Sequence, residues 1–313
     1  MQTFFSSDPV LEQHLNRALD QLWMDFPTLA PTQIAVTWVV YDPPYITNTG
    51  GALSALDFWQ HRPRGASYRG MELIYPASVV KLFYLVAAEE WLEQGMVSAS
   101  AELNRALRDM IVDSSNDATS LVIDLLTGTT SGPDLPAGPF ATWQHQRNLI
   151  NRFFQSLGWP ELTTVNLNQK TWGDGPYGRE RAFLGETYQN RNRLTTHGVA
   201  RLIHSIAGGV AVSAARSQTM LALMARDLKA PRSLGEEEDQ IKGFFGAGLP
   251  VEAALYSKAG FTSQVRHDSA YVEIPGYHPF TLVAFTEGRE HAKHQHLLPT
   301  LVELLIEQIK AEL

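Results

Sequence analysis

The chain of 313 residues contains no cysteine. That absence excludes thiol nucleophiles, thiolate metal sites and disulfides together, and leaves the compartment open. Cation-rich stretches are missing as well: the formal net charge is −8 and no basic block occurs. Nucleic-acid binding, which needs a Lys/Arg stripe to neutralise phosphates, is therefore not expected. No apolar run reaches the length of a membrane span, so no membrane association is expected either. The first residues, MQTFFSSDPVLEQHL, lack the charged n-region and apolar run of a signal peptide. The expectation is a cytoplasmic location unless a leader has been removed.

What is present is an ordinary globular balance, 44% hydrophobic and 19% charged residues, long enough for a sizeable core. Leu11, Leu15, Ala18, Leu19 and Leu22 recur at helical spacing after Ser7-Asp8-Pro9. Gln33 to Tyr41 is rich in β-branched and aromatic residues and predicts a strand; Asp42 to Gly70 reads as loop-rich, with no strand singled out in it. A long helical region follows from about Pro76 to Met224. Ser78 to Leu92 is apolar on nearly all sides, the mark of a buried helix. Further helices are predicted at Leu103 to Ile111, Asp117 to Leu126, Trp143 to Leu157, Thr196 to Ile206 and Ser213 to Leu228. Strands return at Ala254 to Gly260, Ser269 to Ile274 and Phe280 to Thr286, before a final helix carrying Leu298, Leu301, Val302, Leu305 and Ile309.

Strands near both ends with helices between them predict one sheet built from both termini. The expected fold is α/β (α+β), an antiparallel sheet flanked by helices plus an inserted all-helical domain. The boundaries read as 1–65 and 215–313 for the sheet domain and 66–214 for the insertion.

Three short motifs occur in order. In Ser78-Val79-Val80-Lys81, helical spacing puts the serine and the lysine on one face, beside the positive end of a helix. A serine hydroxyl needs a base, and a lysine whose pKa is lowered by burial can serve. Alone the motif is weak, since about one S-x-x-K match arises by composition in a chain this size. In Ser114-Ser115-Asn116 a hydroxyl and an amide two residues apart can point into one cleft, as proton relay and substrate clamp. The same residues are also good helix N-caps. In Lys258-Ala259-Gly260, a cation on a late strand favours an anionic group and the glycine admits a ligand close to the backbone; an ordinary strand end reads the same way.

Together these resemble the S-x-x-K, S-D-N and K-T-G set of class A β-lactamases and penicillin-binding serine hydrolases, the β-lactamase/transpeptidase-like family. The resemblance extends to Asn116-Asp117-Ala118 with Leu121, to Leu194-Thr195-Thr196 leading into Val199-Ala200-Arg201-Leu202-Ile203, to Gly248-Leu249-Pro250, and to Val265-Arg266-His267-Asp268. It implies an acyl-enzyme mechanism on β-lactams or related amides and esters. Ser78 is then the nucleophile, Lys81 its activating partner, Ser114 the proton relay, Asn116 a substrate clamp and Lys258 an electrostatic anchor. The backbone N–H groups of Ser78 and Phe261 would form the oxyanion hole, with Gly260 lining the substrate. The alternatives within the resemblance are a penicillin-binding D,D-peptidase, an intracellular esterase, and a non-hydrolysing β-lactam sensor. The expected partner is a small-molecule or peptide substrate, with no cofactor or metal and a monomeric chain. His291, His294 and His296 have metal-like spacing but lack a carboxylate or thiolate partner.

The sequence departs from the family pattern in four places. Ser115 stands where the family has Asp. Ala259 replaces the hydroxyl residue of K-T-G, leaving Thr262, Ser263 or Arg266 to hold a substrate carboxylate. Only 36 positions separate Ser78 from Ser114. Finally, the deacylating glutamate has two candidates. Glu186 has Asn190 four residues later, as the family does; Glu180 is better spaced from Thr196 but has Leu184 in the asparagine position. Either is also readable as a surface carboxylate, Glu180 beside Arg179 or Arg181, and Glu236 to Asp239 as a solvated acidic loop.

Overall fold

The computed structural model describes residues 3–230 and 239–310. It divides into two compact units, Met1–Glu72 with Thr195–Leu313, and Leu73–Leu194.

The first unit opens with β1 (Ser6–Ser7), α1 (Pro9–Asp25), β2 (Ile34–Val40), α2 (Ala55–Phe58) and β3 (Arg64–Tyr68). The Asp8 carboxylate starts α1 by accepting from the N–H groups of Val10 and Leu11 at 2.8 and 3.0 Å, and Pro9 sits where no donor is needed. Strand β3 corrects the expectation of loop from Asp42 to Gly70. Its sequence, Arg-Gly-Ala-Ser-Tyr, has no β-branched residue, and it is held in the sheet by its antiparallel register with β2, Val36 to Val40 facing Tyr68 to Arg64.

The second unit is helical: α3 (Lys81–Glu93), α4 (Ala101–Ile111), α5 (Asn116–Thr127), α6 (Ala137–Arg147), α7 (Leu149–Ser156) and α8 (Gly178–Leu184). Helix α3 packs against α4, α5 and α7, which explains why apolar residues encircle it; Phe83 meets Phe154 of α7 edge-on at 4.9 Å. The single helix expected over Trp143 to Leu157 is two, broken at Asn148. There the Asn148 side-chain amide donates to the Gln144 carbonyl at 3.0 Å, a bond to a backbone acceptor that competes with the helix, while its Oδ1 accepts from Asn151 and Asn168.

The first unit resumes with α9 (Thr196–Ala207), α10 (Ala214–Met224), β4 (Ala225–Arg226), β5 (Ala254–Ser257), β6 (Gly260–Thr262), β7 (Val265–Glu273), β8 (Phe280–Glu287), α11 (Arg289–Lys293) and α12 (Leu297–Ile306). The sheet runs β1-β3-β2-β8-β7-β5-β4, with β6 also on β7. All pairings are antiparallel except the two-residue contact of β1 with β3. Strand β2 is buried along its whole length because both faces are covered. Val36, Trp38 and Val40 join the core of α1 and α12, while Thr37 bonds Thr196 of α9 at 2.7 Å on the other face. Helix α9 packs on β2, β7 and β8 and so lies in this unit, although its sequence position suggested the insertion.

Two late strands also differ from expectation. The segment expected as one strand from Ala254 to Gly260 breaks at Lys258-Ala259. Strand β7 begins at Val265 rather than Ser269, because its polar residues are partnered inside: His267 Nδ1 accepts from the Thr286 N–H at 3.1 Å, and Asp268 from Phe245 N–H at 2.9 Å. Of the acidic run, Glu236 to Glu238 lie outside the described residues. Asp239 is buried rather than solvated, accepting from the N–H groups of Ile241 and Lys242. Among the described residues no helix is long and apolar enough to cross a membrane.

Candidate active site

In the second unit Ser78 lies half-buried in a 3₁₀ turn, Ala77–Val80, that runs directly into α3. Ala77 holds a φ of 45°, a left-handed conformation that costs an alanine energy and that the surrounding packing must maintain. Lys81 follows as the first residue of α3 and is fully buried. Its Nζ donates to Asn116 Oδ1 at 2.9 Å, to Ser114 Oγ at 3.2 Å and to the Ser114 carbonyl. No carboxylate pairs with it among the described residues, and burial pulls its pKa down from 10.5 to about 7.

The second motif caps a helix and also meets Lys81. Ser115 is the N-cap of α5, accepting from Ala118 N–H at 3.1 Å. Ser114, at a φ of 56°, and Asn116 on either side are the residues that meet Lys81. A cap can be Ser as well as Asp, which accounts for the departure at Ser115. Beside Asn116 lies a hollow lined by Asp117, Trp172, Asp174 and Tyr177. These residues were not singled out by motif, because a Gly/Pro-rich loop carries no periodicity to read.

The two glutamate candidates fall elsewhere. Glu180 is fully buried, not surface-exposed, and its partner is neither Arg179 nor Arg181. Both its oxygens are held by Arg147, at 2.7 and 2.9 Å, and Ser131 donates to Oε1 at 2.8 Å. Lys170 and Asp124 complete the cluster, 2.7 Å apart. Glu186 is exposed in the turn after α8, with no hydrogen bond or ion pair among the described residues. Asn190, four residues on, donates to the Phe183 carbonyl and accepts from Asn166 and Asn168, each at 2.9 Å. It belongs to an asparagine network that ties down the chain around Asn166 and Asn168.

The first unit carries the third motif. Lys258 is fully buried, donating from Nζ to Gln240 Oε1 at 2.6 Å and to the Ala259 carbonyl at 2.9 Å. Gly260 and Phe261 stand on β6, opposite His267 and Arg266 of β7. Arg266 is not a solvent-facing anion site. Its guanidinium stacks between Phe244 and Phe261, at 4.8 and 4.6 Å, and donates to the carbonyls of Ala292 and Gly243. Buried Asp268 accepts two backbone N–H bonds, and burial raises its pKa to about 6.

The second unit thus brings together a buried lysine of lowered pKa, a serine and an asparagine that accept from it, and a further serine three residues before it in the chain. The chain belongs to the beta-lactamase enzyme family, whose model matches residues 98–309. No curated protein matches it by sequence. Solved structures share its fold at low identity. PBP-A is 16% identical over 97% of each chain, with a TM-score of 0.62. The beta-lactamase of Sphaerobacter thermophilus DSM 20745 is 17% identical over 95% of each chain, with a TM-score of 0.59. A class A beta-lactamase of Bacteroides cellulosilyticus DSM 14838 is 13% identical over 96% of this chain and 99% of that one, with a TM-score of 0.62.

Proposed function

We propose that the protein is a serine hydrolase that forms an acyl-enzyme through Ser78 on β-lactams or on amides and esters with a similar carbonyl. The observation that carries this reading is Lys81, a buried lysine with a pKa near 7 bonded to Ser114 and Asn116. At neutral pH a large fraction of its Nζ is an unprotonated amine and can take a proton from a serine hydroxyl.

In the proposed sequence Ser78 Oγ attacks the carbonyl carbon while its proton passes to Lys81. The C–N or C–O bond of the substrate then breaks, and Ser114 relays that proton to the departing atom. Asn116 orients the substrate amide, and the hollow formed by Trp172, Asp174 and Tyr177 receives a group beside it. Lys258, Gly260 and the N–H of Phe261 are assigned as anchor, lining and oxyanion donor by motif order. Arg266 is assigned to packing, since its guanidinium is buried between Phe244 and Phe261 and donates to two backbone carbonyls.

Release of the acyl group is the slow half of this reading. Glu180 is locked by Arg147 and Ser131, and Glu186 lies exposed with Asn190 committed elsewhere. We assign neither as deacylation base, which favours penicillin-binding behaviour over rapid β-lactam turnover. A mutant of PBP-A, 16% identical to this chain with a TM-score of 0.63, was solved as an acyl-enzyme complex with penicillin-G.

Intact mass spectrometry with penicillins and a chromogenic cephalosporin tests both halves. The native protein should gain the mass of the opened lactam and keep it after free drug is removed; Ser78→Ala should gain nothing. A native protein that forms no adduct with β-lactams or simple active esters would end the acyl-enzyme reading. Rapid catalytic turnover would end the assignment of slow release.

A further inference from the structure

A cavity of ≈ 290 Å³ opens in the first unit where β2 ends, and no residue of the three motifs lines it. Its walls include Tyr41, Ile46, Phe58, His204 and Tyr271, with Arg62 among the polar residues. The aromatic surfaces are fixed by one another. His204 stacks on Tyr41 at 5.4 Å with 16° between planes and lies 4.7 Å from Phe58, and Tyr41 OH is spent on Thr281 at 2.8 Å and on His204 Nδ1 at 3.1 Å. Burial holds the imidazole neutral, its pKa pulled down to about 3.

The two arginines of the cavity wall are held differently. Arg64 and Asp42 both line it and are joined by two bonds of 2.6 and 2.7 Å, and Arg64 also pairs with Asp8 at 3.2 Å. Arg62 has no carboxylate partner among the described residues; its Nη2 donates to the Phe5 carbonyl at 2.5 Å, and its Nε is buried without a partner. The cavity thus combines rigid planar walls with one cation, Arg62, that has no direct ion pair among the described residues. An apolar cavity of about 150 Å³ holds a benzene molecule, so this volume accommodates about two fused rings.

We propose that this cavity is a binding site for a small planar aromatic carboxylate, its rings against Tyr41, Phe58 and Tyr271 and its carboxylate paired with Arg62. The proposal does not depend on the acyl-transfer reading.

The test titrates 2-naphthoate, and its neutral amide 2-naphthamide, into the full chain by calorimetry and by methyl NMR. Saturable 1:1 binding of the naphthoate is expected, shifting the methyl signals of Ile46 and Ala207. Arg62→Gln should weaken the naphthoate about tenfold and leave the naphthamide unchanged, as loss of a charged hydrogen bond predicts. Ala207→Trp, which fills the cavity from the last turn of α9, should abolish binding of both, while Ser78→Ala leaves it intact. The methyl shifts locate the ligand even where the tryptophan variant folds poorly. Absence of saturable binding, binding that moves neither methyl, or an unchanged naphthoate affinity in Arg62→Gln would each overturn the proposal.

Discussion

Arg147 and Glu180 form a bidentate ion pair with both side chains fully withdrawn from solvent. The pair is 33 residues apart in sequence and joins α6 to α8, with Ser131 and Thr129 satisfying further donors and acceptors. A buried pair of this kind does little net stabilising as a pair, but removing one partner strands the other charge.

Glu180→Gln should therefore destabilise the protein by about 3–5 kcal/mol, measured by urea unfolding. The lifetime of a β-lactam adduct should not lengthen. Glu186→Gln, at an exposed position, should move neither quantity by more than about twofold. An adduct that persists much longer in one of these variants, at unchanged stability, would restore that residue as the deacylation base.

The rate of acylation should follow the protonation of Lys81. With the folded pKa near 7, only the unprotonated amine accepts the Ser78 proton, so the rate should rise with pH and level off above a midpoint near 7. Stopped-flow acylation by a chromogenic cephalosporin between pH 5 and 9 measures this. A profile flat through neutrality would exclude Lys81 as the base.

The same burial has a cost for folding. A lysine whose folded pKa lies below its ordinary 10.5 opposes folding fully below pH 7, and the cost disappears as pH rises towards 10.5. Lys81→Met should abolish acylation and stabilise the fold by about 1–4 kcal/mol at pH 7 and below. That gain should shrink at pH 9 to 10. Thermal unfolding at several pH values checks the sign; a gain that grows with pH would contradict the burial of a lysine without a carboxylate.

The family was legible because its motifs set particular residue types at short spacing: Ser78 with Lys81, Ser114 with Asn116. The helical insertion was legible from strands near both ends with helices between them, and the burial of α3 from its apolar circumference. What escaped reading depends on partners distant in sequence. Glu180 sits between Arg179 and Arg181, yet its partner is Arg147, because the helix turns Glu180 inward. Strand β3 carries no β-branched residue and exists because β2 offers it a register. Arg266 looked like an anion site, whereas Phe244 and Phe261 close over its guanidinium. Asn190 stood where the family places its asparagine, but Asn166 and Asn168 use it to fasten a loop.

Asn116 allows the pKa of Lys81 to be moved by a nearly isosteric change. Its Oδ1 accepts from Lys81 Nζ at 2.9 Å, so Asn116→Asp places a carboxylate against the amine with little change of shape. An opposite charge at that distance favours the ammonium and should raise the acylation midpoint by about 1–3 pH units. At pH 7 acylation should fall about tenfold or more, and much of that loss should be recovered at pH 9 to 10. Asn116→Ala removes an acceptor instead, so its midpoint should move down while its rate also falls. The two variants thus slow the reaction with opposite shifts along the pH axis, which a merely structural role for Asn116 would not produce. An unmoved midpoint in both would separate Asn116 from the proton chemistry and leave it only as a substrate contact.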